Sequence, residues 1–124
     1  MHGWALGIDV VGIDRIARSL ARNSAFAVAY FTPAERASCE RMATPARGYA
    51  CMLAVKEAFL KAVGRGVLAG VDLAEVEVRT GDGPRLRLGP AARRAMQARG
   101  CSQAHVDWAH DGERAWAIVL LTSV

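Results

Sequence analysis

The chain has 124 residues, 52% of them hydrophobic and 23% charged, which supports one folded core and excludes a long disordered segment. Its net charge of +4 favours an anionic partner: a phosphate-bearing ligand, nucleic acid or an acidic protein surface. Cys39, Cys51 and Cys101 have no paired spacing, which argues against a zinc site or a disulfide framework and predicts buried thiols.

From the N-terminus, the apolar and β-branched run 5–13 predicts a buried strand that carries Asp9. An ionised carboxylate there needs a cation or several donors facing it. Asp14 is placed to cap a helix over 15–23 whose apolar face is Ile16, Ala17 and Leu20. On another face Arg15, Arg18 and Arg22 form a basic stripe, either solvated or a docking surface for an acidic helix. The apolar residues 25–31 lead into Thr32-Pro33-Ala34-Glu35, a capping box with proline at the first helical position, so a helix over 33–42 is expected. Thr44-Pro45 repeats that signal for a longer helix reaching Val63, with Gly64 as its stop.

Beyond Gly70 the hydrophobic period falls to two. Val76 and Val78, a turn at 81–84, and Leu86 and Leu88 predict a hairpin. Residues 90–99 predict a helix closed by Gly100; 104–110 and 115–121 predict a second hairpin around Asp111-Gly112. The expected fold is one α+β domain over residues 1–124, a largely antiparallel sheet with the long central helix packed across it. No segment approaches membrane-spanning length and the first residues lack a secretory pattern, so a soluble, cytoplasmic protein with no membrane partner is expected. Trp4, Trp108 and Trp116 are not interleaved with basic residues in an RNA-binding signature, so nucleic acid is set aside.

The chemistry concentrates between Ala54 and Gly66. Val55, Phe59, Ala62 and Met52 form a face expected in the core, while Glu57 and Lys61, four apart, share another face. By themselves these two make an ordinary surface pair. If the helix crosses the first strand, however, Asp9 and Glu57 can jointly hold a hard divalent cation such as Mg2+, completed by water and phosphate oxygens. Lys61 would then neutralise charge on the same phosphates, and the Gly64-Arg65-Gly66 turn would let an anion approach backbone and guanidinium. His110, beside a hairpin turn, is read as an exposed polar residue or an acid–base group.

The motifs Gly7-Ile8-Asp9-Val10-Val11 with Ile13-Asp14-Arg15-Ile16, Phe31-Thr32-Pro33-Ala34-Glu35, and Ala54-Val55-Lys56-Glu57-Ala58 with Lys61-Ala62 and Gly64-Arg65-Gly66 together resemble the bacterial holo-acyl-carrier-protein synthases. These are small phosphopantetheinyl transferases, and the resemblance runs nearly the whole chain. It implies Mg2+-dependent transfer of 4′-phosphopantetheine from coenzyme A to a serine of an apo acyl carrier protein, releasing adenosine 3′,5′-bisphosphate. By position, Asp9 and Glu57 become metal ligands and Lys61 the charge stabiliser or proton donor at the pyrophosphate. Arg47, Lys56, Gly64, Arg65, Gly66 and His110 become candidate coenzyme A contacts. The stripe of Arg15, Arg18 and Arg22 acquires an acyl carrier protein as its partner, and a homotrimer with sites at subunit boundaries is implied.

This chain departs from the family pattern at Met52-Leu53, where an arginine is usual, at Arg65, where a threonine is usual, and at Asp107-Trp108-Ala109-His110. Arg65 is expected to replace in part the cation absent at Met52. The alternative is a non-catalytic trimeric member that binds a carrier protein or a nucleotide.

Overall fold

Among the described residues every strand pairs antiparallel, and one helix runs beneath the larger of two sheets. The computed structural model describes residues 3–64 and 70–123. Strand β1 (Trp4–Gly12) pairs with β5 (Arg114–Thr122), which pairs with β4 (Gln103–His110), so the order is β1-β5-β4. Strands β2 (Val76–Arg79) and β3 (Arg85–Leu88) form a separate two-stranded sheet. The α+β class and the antiparallel pairing agree with expectation, but two sheets stand where one was anticipated.

The long helix α4 (Pro45–Val63, 19 residues) begins with proline and ends at Gly64, whose φ of 85° suits glycine. Its Met52, Val55, Phe59 and Ala62 are buried as expected. It approaches β1 closely because Gly7 has no side chain: a Cβ there would overlap the Ala58 carbonyl. The glycine two residues before Asp9 thus lets the signature helix lie against the strand that carries the carboxylate.

Strand β1 is not buried on both faces. Ala5 and Gly7 face α4, whereas Trp4, Leu6, Ile8 and Val10 alternate onto the outer face, with Trp4 70% exposed. Ile118 and Leu120 of β5 extend the same exposed apolar surface. A continuous apolar run cannot reveal whether its second face has a cover within the chain.

Helix α1 (Ile13–Arg22) starts earlier than expected, with Gly12 as N-cap. Asp14 is therefore in the first turn and makes no cap, although its charge there suits the positive end of the helix. The packed face uses Ile13, Ile16 and Leu20, and Ala17 is exposed. Residues expected only as an apolar lead-in form a short helix α2 (Ala25–Tyr30). Helix α3 (Pro33–Glu40) has the anticipated capping box: Glu35 N–H donates to Thr32 Oγ1 (3.2 Å), and Thr32 N–H donates to Glu35 Oε1 (2.8 Å). Helix α5 (Pro90–Ala98) completes the chain between the sheets. All three cysteines are buried and free, and burial pushes the Cys39 thiol up to about 12, with Glu35 and Glu40 adding to the shift. Among the described residues no helix is long and apolar enough to cross a membrane.

Candidate functional site

Asp9 faces inward from the middle of β1, opposite Ala117 of β5, because strand alternation puts it on the same face as Gly7. Helix α4 crosses beneath it and brings Glu57 and Lys61 to the same place. Lys61 Nζ donates to Asp9 Oδ1 (2.7 Å) and to the Ile8 carbonyl (3.2 Å). The surface pair expected between Glu57 and Lys61 is thereby replaced by one between Lys61 and Asp9. The strand lies closer to the ammonium than spacing along one helix could indicate.

Glu57 is left facing Asp9 with its charge only partly offset. Burial, and after it the charge of Asp9, push the Glu57 carboxyl above its ordinary range, while Lys61 acts in the opposite direction. Two hard carboxylates held together at such a cost favour a divalent cation. No cluster of three or more His, Cys, Asp or Glu forms a metal site among the described residues. A pair of carboxylates leaves most positions to water and phosphate, which is how Mg2+ is usually bound. The donor set therefore fits that ion.

Glu57 borders two cavities, and Asp9 borders the first of them. One, of about 330 Å3, is lined by Asp9, Arg15, Phe26, Tyr30, Leu53 and Glu57, among others. The second, of about 610 Å3, lies between Tyr30, Glu57 and Leu60 on one side and residues 70–74 on the other. Tyr30 and Glu57 belong to both walls. Tyr30 carried no expectation from the sequence. Its only signal was an aromatic residue closing an apolar run, and that run's helical conformation, which presents the ring to the site, was not anticipated.

Arg47 and His110 also meet, in a third cleft of about 230 Å3 with Thr44, Cys51 and Trp108. This cleft flanks β4 and shares no lining residue with the one beside β1. Since β1 and β4 are the two edges of the sheet, the candidate phosphate contacts and the carboxylate pair open on opposite flanks of one chain.

Lys56 corrects the expectation attached to it. It is 0% exposed, 2.8 Å from Glu35 Oε1, and donates to the carbonyls of Leu73 (2.7 Å) and Val76 (2.9 Å). All three ammonium donors are used inside the protein, so none remains for a coenzyme A phosphate. Position along α4 explains this, since consecutive residues point about 100° apart and Lys56 falls on the core side of Glu57. Arg15, Arg18 and Arg22 are exposed along α1, and Arg15 also lines the cleft of Asp9 and Glu57. Gly64 caps α4, its N–H donating to Leu60 O (3.0 Å) and Lys61 O (3.1 Å). Arg65 and Gly66 lie outside the described residues, as does the expectation that Arg65 compensates for Met52, which is itself fully buried.

Residues 5–119 match the 4′-phosphopantetheinyl transferase superfamily. The chain is 38% identical over 124 residues to a holo-[acyl-carrier-protein] synthase of Syntrophus aciditrophicus (strain SB), covering 98% of this chain and 95% of that protein. Among solved structures it is similar to the holo-[acyl-carrier-protein] synthase of Neisseria meningitidis (TM-score 0.83, 28% identity, covering 94% of this chain and 96% of that one). It is also similar to that of Bacillus anthracis str. Ames in complex with CoA (3′,5′-ADP), with TM-score 0.81, 27% identity and full coverage, 100%, of both chains.

Proposed function

Given that the chain belongs to the 4′-phosphopantetheinyl transferase superfamily, we propose that it transfers 4′-phosphopantetheine from coenzyme A to a serine of an acyl carrier protein. The observation that carries this reading is the meeting of Asp9, Glu57 and Lys61 beside two cavities. The serine hydroxyl gives up its proton to solvent water as its oxygen forms a bond to the β-phosphorus of coenzyme A. The bond from that phosphorus to the bridging oxygen breaks, and adenosine 3′,5′-bisphosphate leaves with the electron pair. Asp9 and Glu57 would hold Mg2+, which when bound neutralises charge on the pyrophosphate. Lys61, 57% exposed, is free to move its ammonium from Asp9 to the leaving phosphate, stabilising its charge or supplying a proton.

Arg15, Arg18 and Arg22 supply a positive face for the acidic carrier protein, with Arg15 leading into the cleft. Arg47 and His110 supply cationic and hydrogen-bonding contacts for the phosphates of coenzyme A. Their separation from Asp9 and Glu57 favours an assembly in which the β4 flank of one copy meets the β1 flank of another. The bare apolar face of Trp4, Leu6, Ile8, Val10, Ile118 and Leu120 supports the homotrimer as that assembly.

Incubation with coenzyme A, Mg2+ and a panel of apo carrier proteins, read by intact mass, tests the reading. One phosphopantetheinyl group should be added to at least one carrier, and chelation of the metal should stop the gain. No gain on any carrier, with carrier binding that survives Asp9→Asn and Glu57→Gln, would establish the non-catalytic alternative instead.

A further inference from the structure

Lys56 and Glu35 take no part in the transfer as described, yet among the described residues they are the charged side chains buried in the core. Glu35 Oε1 accepts from Thr32 N–H and faces Lys56 Nζ, while Glu35 Oε2 accepts from Val78 N–H (2.7 Å). Lys56 in turn donates to the carbonyls of Leu73 and Val76. The pair therefore fastens α3 and α4 to a single stretch of backbone, from Leu73 to Val78. That stretch begins in the wall of the 610 Å3 cavity, at Leu73 and Ala74, opposite Tyr30 and Leu60.

An apolar pair of equal volume would hold a core at least as well. What a buried ammonium adds is direction, since its three donors settle which carbonyls lie where. Lys56 immediately precedes Glu57, so the residue that fastens the wall and the residue that faces the reacting phosphates share one turn of α4. The described lining of the cavity contains two carboxylates, Glu57 and Asp72, and no cation; its remaining side chains are Ala29, Tyr30, Leu60, Val71, Leu73 and Ala74. Apart from Glu57, whose charge Mg2+ would offset, this described lining is mostly apolar and suits an uncharged chain bearing amides and methylenes.

We propose that the Lys56–Glu35 pair is a positioning device that holds the 71–76 segment as the wall against which the uncharged pantetheine arm of coenzyme A lies. This rests on coenzyme A being the ligand, as inferred above, and the test reads binding rather than turnover so that the two ideas can fail separately. Lys56→Met/Glu35→Gln removes both charges together and leaves neither one buried alone. Adenosine 3′,5′-bisphosphate has the nucleotide end of coenzyme A without the arm, which makes it the internal control.

In calorimetric titrations with Mg2+ present, the variant should bind coenzyme A about tenfold more weakly and the bisphosphate within about twofold of the unaltered protein. A role confined to stability would weaken both ligands together or, in folded protein, neither; each of those results overturns the proposal. Circular dichroism establishes folding, and if the double variant does not fold, the exchange measurement on the unaltered protein decides between the outcomes. The unaltered protein provides a further arm. Coenzyme A, but not the bisphosphate, should slow hydrogen exchange at the amides of 71–74, and equal slowing by both, or none with coenzyme A, refutes the assignment.

Discussion

Lys56 and Lys61 stand five residues apart on one helix, and each holds a carboxylate at nearly the same distance, 2.8 Å to Glu35 and 2.7 Å to Asp9. The pairs are nevertheless opposites. Lys56 is sealed in the core with every donor spent, and burial lowers its pKa while Glu35 works to raise it. Lys61 is 57% exposed, and its partner Asp9 lies next to a second carboxylate that remains short of positive charge. The contrast teaches that an ammonium–carboxylate contact becomes chemically available only when its surroundings leave it something further to bind. A dry, saturated pair serves structure; a wet, unsaturated one serves a ligand.

Removing one partner should separate the pairs most sharply. Lys56→Met leaves Glu35 charged and alone in the core, and should cost about 3–5 kcal/mol of stability, read by denaturant titration. A loss under about 1 kcal/mol would contradict the distinction. Lys61→Ala should leave stability within about 1 kcal/mol, yet lower carrier-protein modification by on the order of a hundredfold, read by intact mass. A large loss of stability with ordinary turnover would invert the comparison.

The closeness of α4 to β1, on which the second pair depends, can be tested at Gly7. Gly7→Ala puts a methyl group against the Ala58 carbonyl and should cost about 1–3 kcal/mol, measured by thermal melting. Unchanged stability would mean that the strand and helix have room to part.

The smallest effect concerns an intermediate case, Glu77. Burial opposes its charge, but the Thr32 hydroxyl at 2.6 Å and Arg79 at 2.8 Å outweigh it and lower the pKa. Because the folded value lies below the unfolded one, about 4.3, the carboxylate stabilises the protein fully above that pH. Its contribution is lost as pH falls through the folded value. The difference in melting temperature between the unaltered protein and Glu77→Gln should therefore narrow on acidification below about pH 4.3. A difference that stays constant would count against the assigned shift.

Local patterns carried much of this molecule. Thr32-Pro33-Ala34-Glu35 specified a capped helix because its hydrogen bonds close within four residues. Pro45 and Gly64 marked the ends of α4 by their own backbone restrictions, and alternation located β2, β3 and β4, while apolar runs located β1 and β5. The motif residues Asp9, Glu57 and Lys61 could be named as a group in advance, since a strand and a helix bearing such side chains can meet in few ways.

Other features depend on distances between segments far apart in the chain. Along α4, Glu57 and Lys61 looked like partners, but Asp9 took the lysine; Lys56 looked equally free, but Glu35 and two carbonyls from 73 and 76 had enclosed it. Glu35 itself was legible as a cap, since that bond is local, and illegible as the counter-ion of Lys56, since that bond spans 21 residues. The sequence by itself determined which groups could do chemistry and which elements would carry them. Tertiary structure alone decided which lysine is buried and which meets solvent, because desolvation depends on what packs around a charge and not on the residues beside it in the chain.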